Sequence, residues 1–262
     1  MSAYPNDILV DAGWLKEHLA DSNLRILDTR GVQSRLGHIP GAIALNPGRD
    51  FFVFAYGRMD VAPPEKIAQA LAAYGVSNNS SIVLYDETND QMVAIVYWML
   101  RFVGHRDVKI LRGGWRAWIE SGGAESSEVP AVTRTEYRAQ TNEEIRASAE
   151  WIQQNVERAD ILLLDARSVG EYARGHIPGA VNLPYESNFD FRTRMFKDAT
   201  TLRAQLESIG ATPDKEIITY CHTGARSSHL FAVLELMGYP RVRNYIGSMA
   251  DWHEMRGLPI EY

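Results

Sequence analysis

Gly37-His38-Ile39-Pro40-Gly41-Ala42 and Gly175-His176-Ile177-Pro178-Gly179-Ala180 are the same six residues, present twice in a chain of 262. Before each stands an apolar run closed by an acidic and a basic residue. These runs are Leu24-Arg25-Ile26-Leu27-Asp28-Thr29-Arg30 and Leu162-Leu163-Leu164-Asp165-Ala166-Arg167. The aspartates are offset by 137 positions and the histidines by 138. Further on, Ile82-Val83-Leu84-Tyr85-Asp86 matches Ile217-Ile218-Thr219-Tyr220-Cys221 at an offset of 135. Gly113 to Trp118 then matches Gly247 to Trp252 at 134. Matches in a fixed order, with an offset drifting by a few residues, mark a duplicated domain. The two copies are expected over 1–125 and 143–262. The boundary falls within 121–142, where Ser121-Gly122-Gly123-Ala124-Glu125-Ser126-Ser127-Glu128-Val129-Pro130 is small, polar and aperiodic.

Each copy alternates apolar runs with helical patterns. Helices are expected at Ala12 to Leu19, at Pro64 to Tyr74 and at Ala199 to Ile209. Strands are expected at Leu24 to Leu27, at Ile43 to Leu45 or Val181 to Leu183, and at Val108 to Leu111 or Val242 to Tyr245. This rhythm predicts an α/β fold: two tandem domains, each a mainly parallel sheet flanked by helices. Reactive groups in such sheets belong at the carboxyl ends of strands.

Cys221 is the only cysteine, and it occupies such an end. The run Ile217 to Tyr220 precedes it, and a helical pattern through Leu230, Phe231, Val233, Leu234 and Leu236 is expected to start near Ser228. A turn this tight aims backbone N–H groups inward, and a helix start adds positive potential. Gly224 suits the turn, and Arg226 adds a full charge. The thiolate is the nucleophilic form of cysteine, and this loop is built to hold an anion. A lone cysteine elsewhere reads as a small buried hydrophobe; the glycine, the arginine and the strand–turn–helix setting favour a nucleophile here. The first copy has Asp86 at the matching position, followed by Glu87-Thr88-Asn89-Asp90-Gln91. That loop has no cation and no thiol, so the first copy is expected to be catalytically silent.

Composition narrows the classes. The chain is 45% hydrophobic and 23% charged, ordinary for a globular protein, and its net charge of −6 shows no basic stripe for nucleic acid. No apolar run reaches the roughly 18 residues that span a bilayer. The opening Met1-Ser2-Ala3-Tyr4-Pro5-Asn6-Asp7 shows no secretory pattern, and one cysteine excludes an intrachain disulfide. Cytoplasm is the expected compartment.

Taken together, these residues resemble the rhodanese superfamily, specifically its tandem two-domain sulfurtransferases of the thiosulfate sulfurtransferase type. The resemblance is carried by Asp-x-Arg and Gly-His-Ile-Pro-Gly-Ala in both copies, by Tyr220-Cys221-x-x-Gly224-x-Arg226, and by Gly-x-x-x-x-Trp near each domain end. It implies a silent first domain, an active second domain and a site between them, with no metal and no organic cofactor. It implies that the Cys221 thiolate takes the outer sulfur of a small anionic donor such as thiosulfate, then passes it from a persulfide to a thiophilic acceptor such as cyanide. His222, Thr223, Gly224, Ala225 and Arg226 would form the anion cradle, with Arg167, Asp165 and Ser227 as candidate supports.

Two departures bear on the donor. His222-Thr223 follows the cysteine, where thiosulfate enzymes of this family carry basic residues and 3-mercaptopyruvate enzymes a Gly-Ser pair. Glu171 stands where both types place a substrate-binding arginine, so that role is not carried over. Its loss argues more against a carboxylate-bearing donor than against thiosulfate; 3-mercaptopyruvate is the alternative. Other residues read as structural. His38 and His176 occur in both copies and are expected to hold the turn. The Asp28–Arg30 and Asp165–Arg167 pairs pin the first strand to its loop, and Trp118 and Trp252 are core. Ser227 and Ser228 are expected as helix N-caps. A cysteine phosphatase is the rival enzyme, but such loops place five residues between Cys and Arg, and here four intervene. A persulfide carrier delivering sulfur to a protein acceptor would use the same Cys221, so that reading stays open.

Overall fold

The computed structural model describes residues 4–55, 58–87, 91–190, 192–193 and 195–262. The first half forms a five-stranded sheet in the spatial order Leu9–Val10, Val108–Leu111, Ser81–Tyr85, Leu24–Asp28, Ile43–Ala44, with every pairing parallel. The second half repeats it with four strands, Val242–Asn244, Glu216–Tyr220, Ile161–Asp165 and Val181–Asn182, also all parallel. Where the first copy has its edge strand at Leu9–Val10, the second keeps only an isolated parallel bridge between Arg146 and Asn244. The central strands are buried along almost their whole length because helices cover both faces. Among the described residues, no helix is long and apolar enough to cross a membrane.

Two antiparallel hairpins, Phe52–Ala55 with Arg58–Val61 and Phe189–Asp190 with Met195–Phe196, occupy matching places in the two copies. Sequence patterning missed both, since strands of two to four residues carry too little periodicity to read.

The helices Gln91–Phe102 and Ala225–Leu236 are buried around nearly their full circumference. A helix apolar on all sides needs cover on all sides. Each lies on its own sheet and against the other helix, so one apolar cluster runs through both halves, from Val93, Val96 and Leu100 to Leu230, Val233 and Leu234. Polar clamps cross the seam as well: Tyr97 Oη donates to Glu235 Oε2 at 2.7 Å, and Arg101 Nη2 reaches Glu235 Oε1 at 3.4 Å. The connecting segment is no free spacer. It is tied to the first domain by Thr135 N–H on the Ala72 carbonyl, Gln140 N–H on Val103 and Asn142 N–H on Phe102, at 3.0, 3.1 and 2.7 Å.

Candidate active site

The duplicated motif turns out to be the frame that positions the loops. Arg167 grips Asp165 through Nε and Nη2 and donates from Nη2 to the Gly175 carbonyl at 2.8 Å. Arg30 does the same with Asp28 and the Gly37 carbonyl. The tyrosine before the key position closes the frame: Tyr220 Oη accepts the Ile177 N–H at 3.1 Å, and Tyr85 Oη accepts the Ile39 N–H at 3.3 Å. His38 faces the Ser34 and Glu128 carbonyls, and His176 faces the Tyr172 carbonyl while stacking on the Tyr172 ring. All of these contacts are architectural. Trp118 and Trp252 are core, and each donates its indole N–H to a carbonyl of the segment leaving its domain, at Ala124 and Pro259.

Within this frame, strand Glu216–Tyr220 delivers Cys221 into a turn so short that the helix begins at Ala225. The expected start near Ser228 was three residues late. Gly224 is the N-cap, with φ 96°, in the left-handed region that glycine adopts without strain. A Cβ there would lie 2.7 Å from the Ile246 carbonyl oxygen. Ser227 and Ser228 are therefore not caps. They sit in the first turn, where both hydroxyls donate to the Gly224 carbonyl, at 3.0 and 2.7 Å. Asn244 Nδ2 donates to Ser228 Oγ at 2.9 Å, linking the neighbouring strand to the loop.

Cys221 is free and 1% exposed, so a reagent must enter the loop to meet it. Its Sγ accepts the Gly224 N–H at 3.1 Å. Its own N–H donates to Ser248 Oγ at 3.0 Å, and that oxygen lies 3.9 Å from Sγ. Ser248 holds φ 53°, the only positive φ of a non-glycine residue among those described. Met249 N–H and Ala250 N–H then donate to the Cys221 and His222 carbonyls, at 3.1 and 3.0 Å. The reversal at Ser248 thus clamps the cysteine from the far side, and a π-helix, Ala250–Met255, follows it. Sequence reasoning marked Gly247 and Trp252 of this stretch but missed Ser248, whose role depends on a backbone conformation no residue type announces.

Of the remaining loop residues, His222 is half exposed with Nε2 3.7 Å from Glu254 Oε1, and Thr223 is partly exposed. Arg226 is the surprise. Its Nη1 and Nη2 donate to Glu171 Oε2 and Oε1 at 2.6 and 2.8 Å, a bidentate fork. Glu171 also accepts from Ser168 Oγ and N–H, completing a capping box on the short helix Val169–Tyr172. The Arg226 hydrogen bonds, chiefly, hold the Glu171 carboxyl down to about 2. In return Glu171 raises the guanidinium above its ordinary range, and the Cys221 and Glu186 charges act on it in the same direction.

In the first copy, the Asp86 carbonyl accepts the Trp115 N–H at 2.8 Å, and Glu87 lies 3.7 Å from Arg30. Thr88, Asn89 and Asp90 of the loop expected to lack cations lie outside the described residues.

Comparison with known proteins shows what the chain is similar to. The family model for the rhodanese-like domain matches residues 11–121 and again 148–255. The sulfur carrier protein TtuD of Thermus thermophilus is 35% identical, over 98% of this chain and 97% of its own length. A thiosulfate sulfurtransferase of Pseudomonas aeruginosa is 31% identical, over 97% of each. The crystal structure of SseA, a 3-mercaptopyruvate sulfotransferase of Escherichia coli, superposes with a TM-score of 0.84 at 28% identity. It covers 93% of this chain and 99% of SseA.

Proposed function

The chain belongs to the rhodanese-like domain family, as a tandem pair, and from that premise we propose that it is a sulfurtransferase working through a persulfide on Cys221, with thiosulfate as donor. The observation that carries the reading is the Gly224 N–H aimed at Sγ from 3.1 Å, at the start of a twelve-residue helix. Negative charge on that sulfur, as thiolate or persulfide, meets a backbone donor and the positive end of a helix dipole. No rearrangement is needed when the charge develops.

The reaction balances without an external oxidant. The Cys221 thiolate attacks the outer sulfur of thiosulfate, the new S–S bond forms, and the old one breaks with its electron pair leaving on sulfite. A thiophile such as cyanide then attacks the outer sulfur of the persulfide and returns the thiolate. His222 and Thr223, both partly exposed and next to the cysteine, would meet donor and acceptor early. Arg167, Asp165 and Ser227 act on the loop's shape. Thiosulfate is favoured over 3-mercaptopyruvate because a relative 31% identical over 97% of both chains is a thiosulfate sulfurtransferase. The likeness to a sulfur carrier supports a second reading of the same persulfide, delivery to a protein acceptor.

Steady-state thiocyanate production from thiosulfate and cyanide tests the proposal. Cys221→Ser is expected to fold and to lose transfer altogether. Retained turnover in that variant, or hydrolysis of an aryl phosphate by the wild type without any sulfur transfer, would contradict it.

A further inference from the structure

Arg226 is a cation next to the nucleophile, yet its charge is already committed. Its side chain is 18% exposed, and both terminal nitrogens point into the Glu171 carboxylate. Glu171 in turn is fixed from its other side by the Ser168 hydroxyl and N–H, at 2.8 and 3.2 Å. It cannot swing away without breaking the capping box as well as the ion pair. A second carboxylate acts on the same guanidinium: Glu186, whose Oε2 is buried with no hydrogen-bond partner. The positive charge of Arg226 is therefore already paired. The other cation near the sulfur's strand end, Arg167, is consumed by Asp165, and His222 stands 3.7 Å from Glu254. The Arg226 and Arg167 guanidiniums are thus both committed, and an incoming anion meets the loop's backbone donors instead.

We infer that Glu171 is a specificity-determining residue: by occupying the Arg226 fork, it withholds that charge from anionic sulfur donors and sets a penalty that grows with donor charge. The inference rests on the reading of Cys221 as the sulfur-transferring group. Glu171 touches no reacting atom; it acts through Arg226. A dianionic donor must compete with a tethered carboxylate for the guanidinium, whereas a donor of lower charge has less to gain from it and is penalised less.

The test uses the full chain with two donors of the same reaction, thiosulfate as dianion and methanethiosulfonate as monoanion. Glu171→Gln keeps the acceptor for Ser168, since glutamine also serves in a capping box, but removes the charge that binds Arg226. Glu171→Ala removes the fork as well. In both variants KM for thiosulfate is expected to fall about three- to tenfold, the range in which a partly exposed ion pair competes. The fall for methanethiosulfonate is expected to be smaller, and kcat is expected to move less than KM. A thiosulfate KM that is unchanged or raised in both variants, with thermal unfolding like the wild type, would overturn the assignment. So would an equal fall for both donors. Intact mass separates this from the underlying reading. If wild-type protein takes up no sulfur from either donor, sulfur transfer at Cys221 falls and the inference with it. If it takes up sulfur but the variants show no charge dependence, the role of Glu171 alone falls.

Discussion

His229 shows what a single side chain contributes when burial, and not bonding, decides its state. It is fully buried, neither ring nitrogen has a hydrogen-bond partner, and its ring packs against Tyr185, Phe189 and Phe196 with centroids 5.6, 4.5 and 5.1 Å away. Burial pushes its pKa down to about 3. The folded state therefore refuses a proton that the unfolded chain accepts near pH 6.5. Its contribution is fully present above that pH and is lost as the pH falls toward 3. His229→Phe, which suits the aromatic cage, is expected to flatten the acid side of the stability profile by on the order of a few kcal/mol relative to wild type. Urea unfolding at pH 7 and pH 4.5 checks this; parallel profiles for the two proteins would refute it. Legibility at this scale follows sequence distance. Cys221, Gly224 and Arg226 stand within six residues of one another and announced themselves. Ser248 and Glu171 lie 27 residues after the cysteine and 55 before the arginine that they respectively contact, and only folding brings them in. Glu171 was visible as a departure from the family pattern, but its partner was not.

At the level of elements, the strands were readable because both faces of each central strand are buried, giving unbroken apolar runs such as Leu162 to Leu164 and Ile217 to Ile218. The start of the helix after Cys221 was not. Serines usually announce a cap, but here the left-handed Gly224 starts the helix three residues sooner and turns both hydroxyls back onto its own carbonyl. That geometry makes the cradle. It is also exacting: an alanine at 224 would be strained by its φ and would press on the Ile246 backbone. Gly224→Ala is expected to cost about 1–3 kcal/mol of stability and to remove most sulfur transfer, since the N–H on Sγ cannot stay in place. Denaturant unfolding combined with the thiocyanate assay measures both losses. A stable, fully active variant would show that the loop does not depend on this conformation.

Across the molecule, the duplication was legible to the residue, because a frame of Asp, Arg, Tyr and a glycine-bounded turn must be rebuilt in each copy. The way the copies join was not. The all-round burial of Gln91–Phe102 and Ala225–Leu236 shows in sequence only as helices with too little polar surface, which says that a cover exists but not which one. Joined this way, the halves differ in chemistry along one matched loop. Cys221 has Arg226 five residues on; Asp86 has Gln91, whose Nε2 donates to Tyr185 Oη at 2.8 Å across the seam. A thiol placed at 86 would have Asn89 and Gln91 in the sequence where Cys221 has Gly224 and Arg226, and so would lack the cradle; Asp86→Cys in a Cys221→Ser background is expected to stay inert. The most direct measurement is the intact mass of three proteins after incubation with thiosulfate and removal of excess donor: wild type, Cys221→Ser, and Cys221→Ser with Asp86→Cys. One added sulfur atom on the wild type, mapped to the Cys221 peptide, and none on either variant is the predicted result. Sulfur on a variant, or none on the wild type with any sulfane donor, would contradict the account.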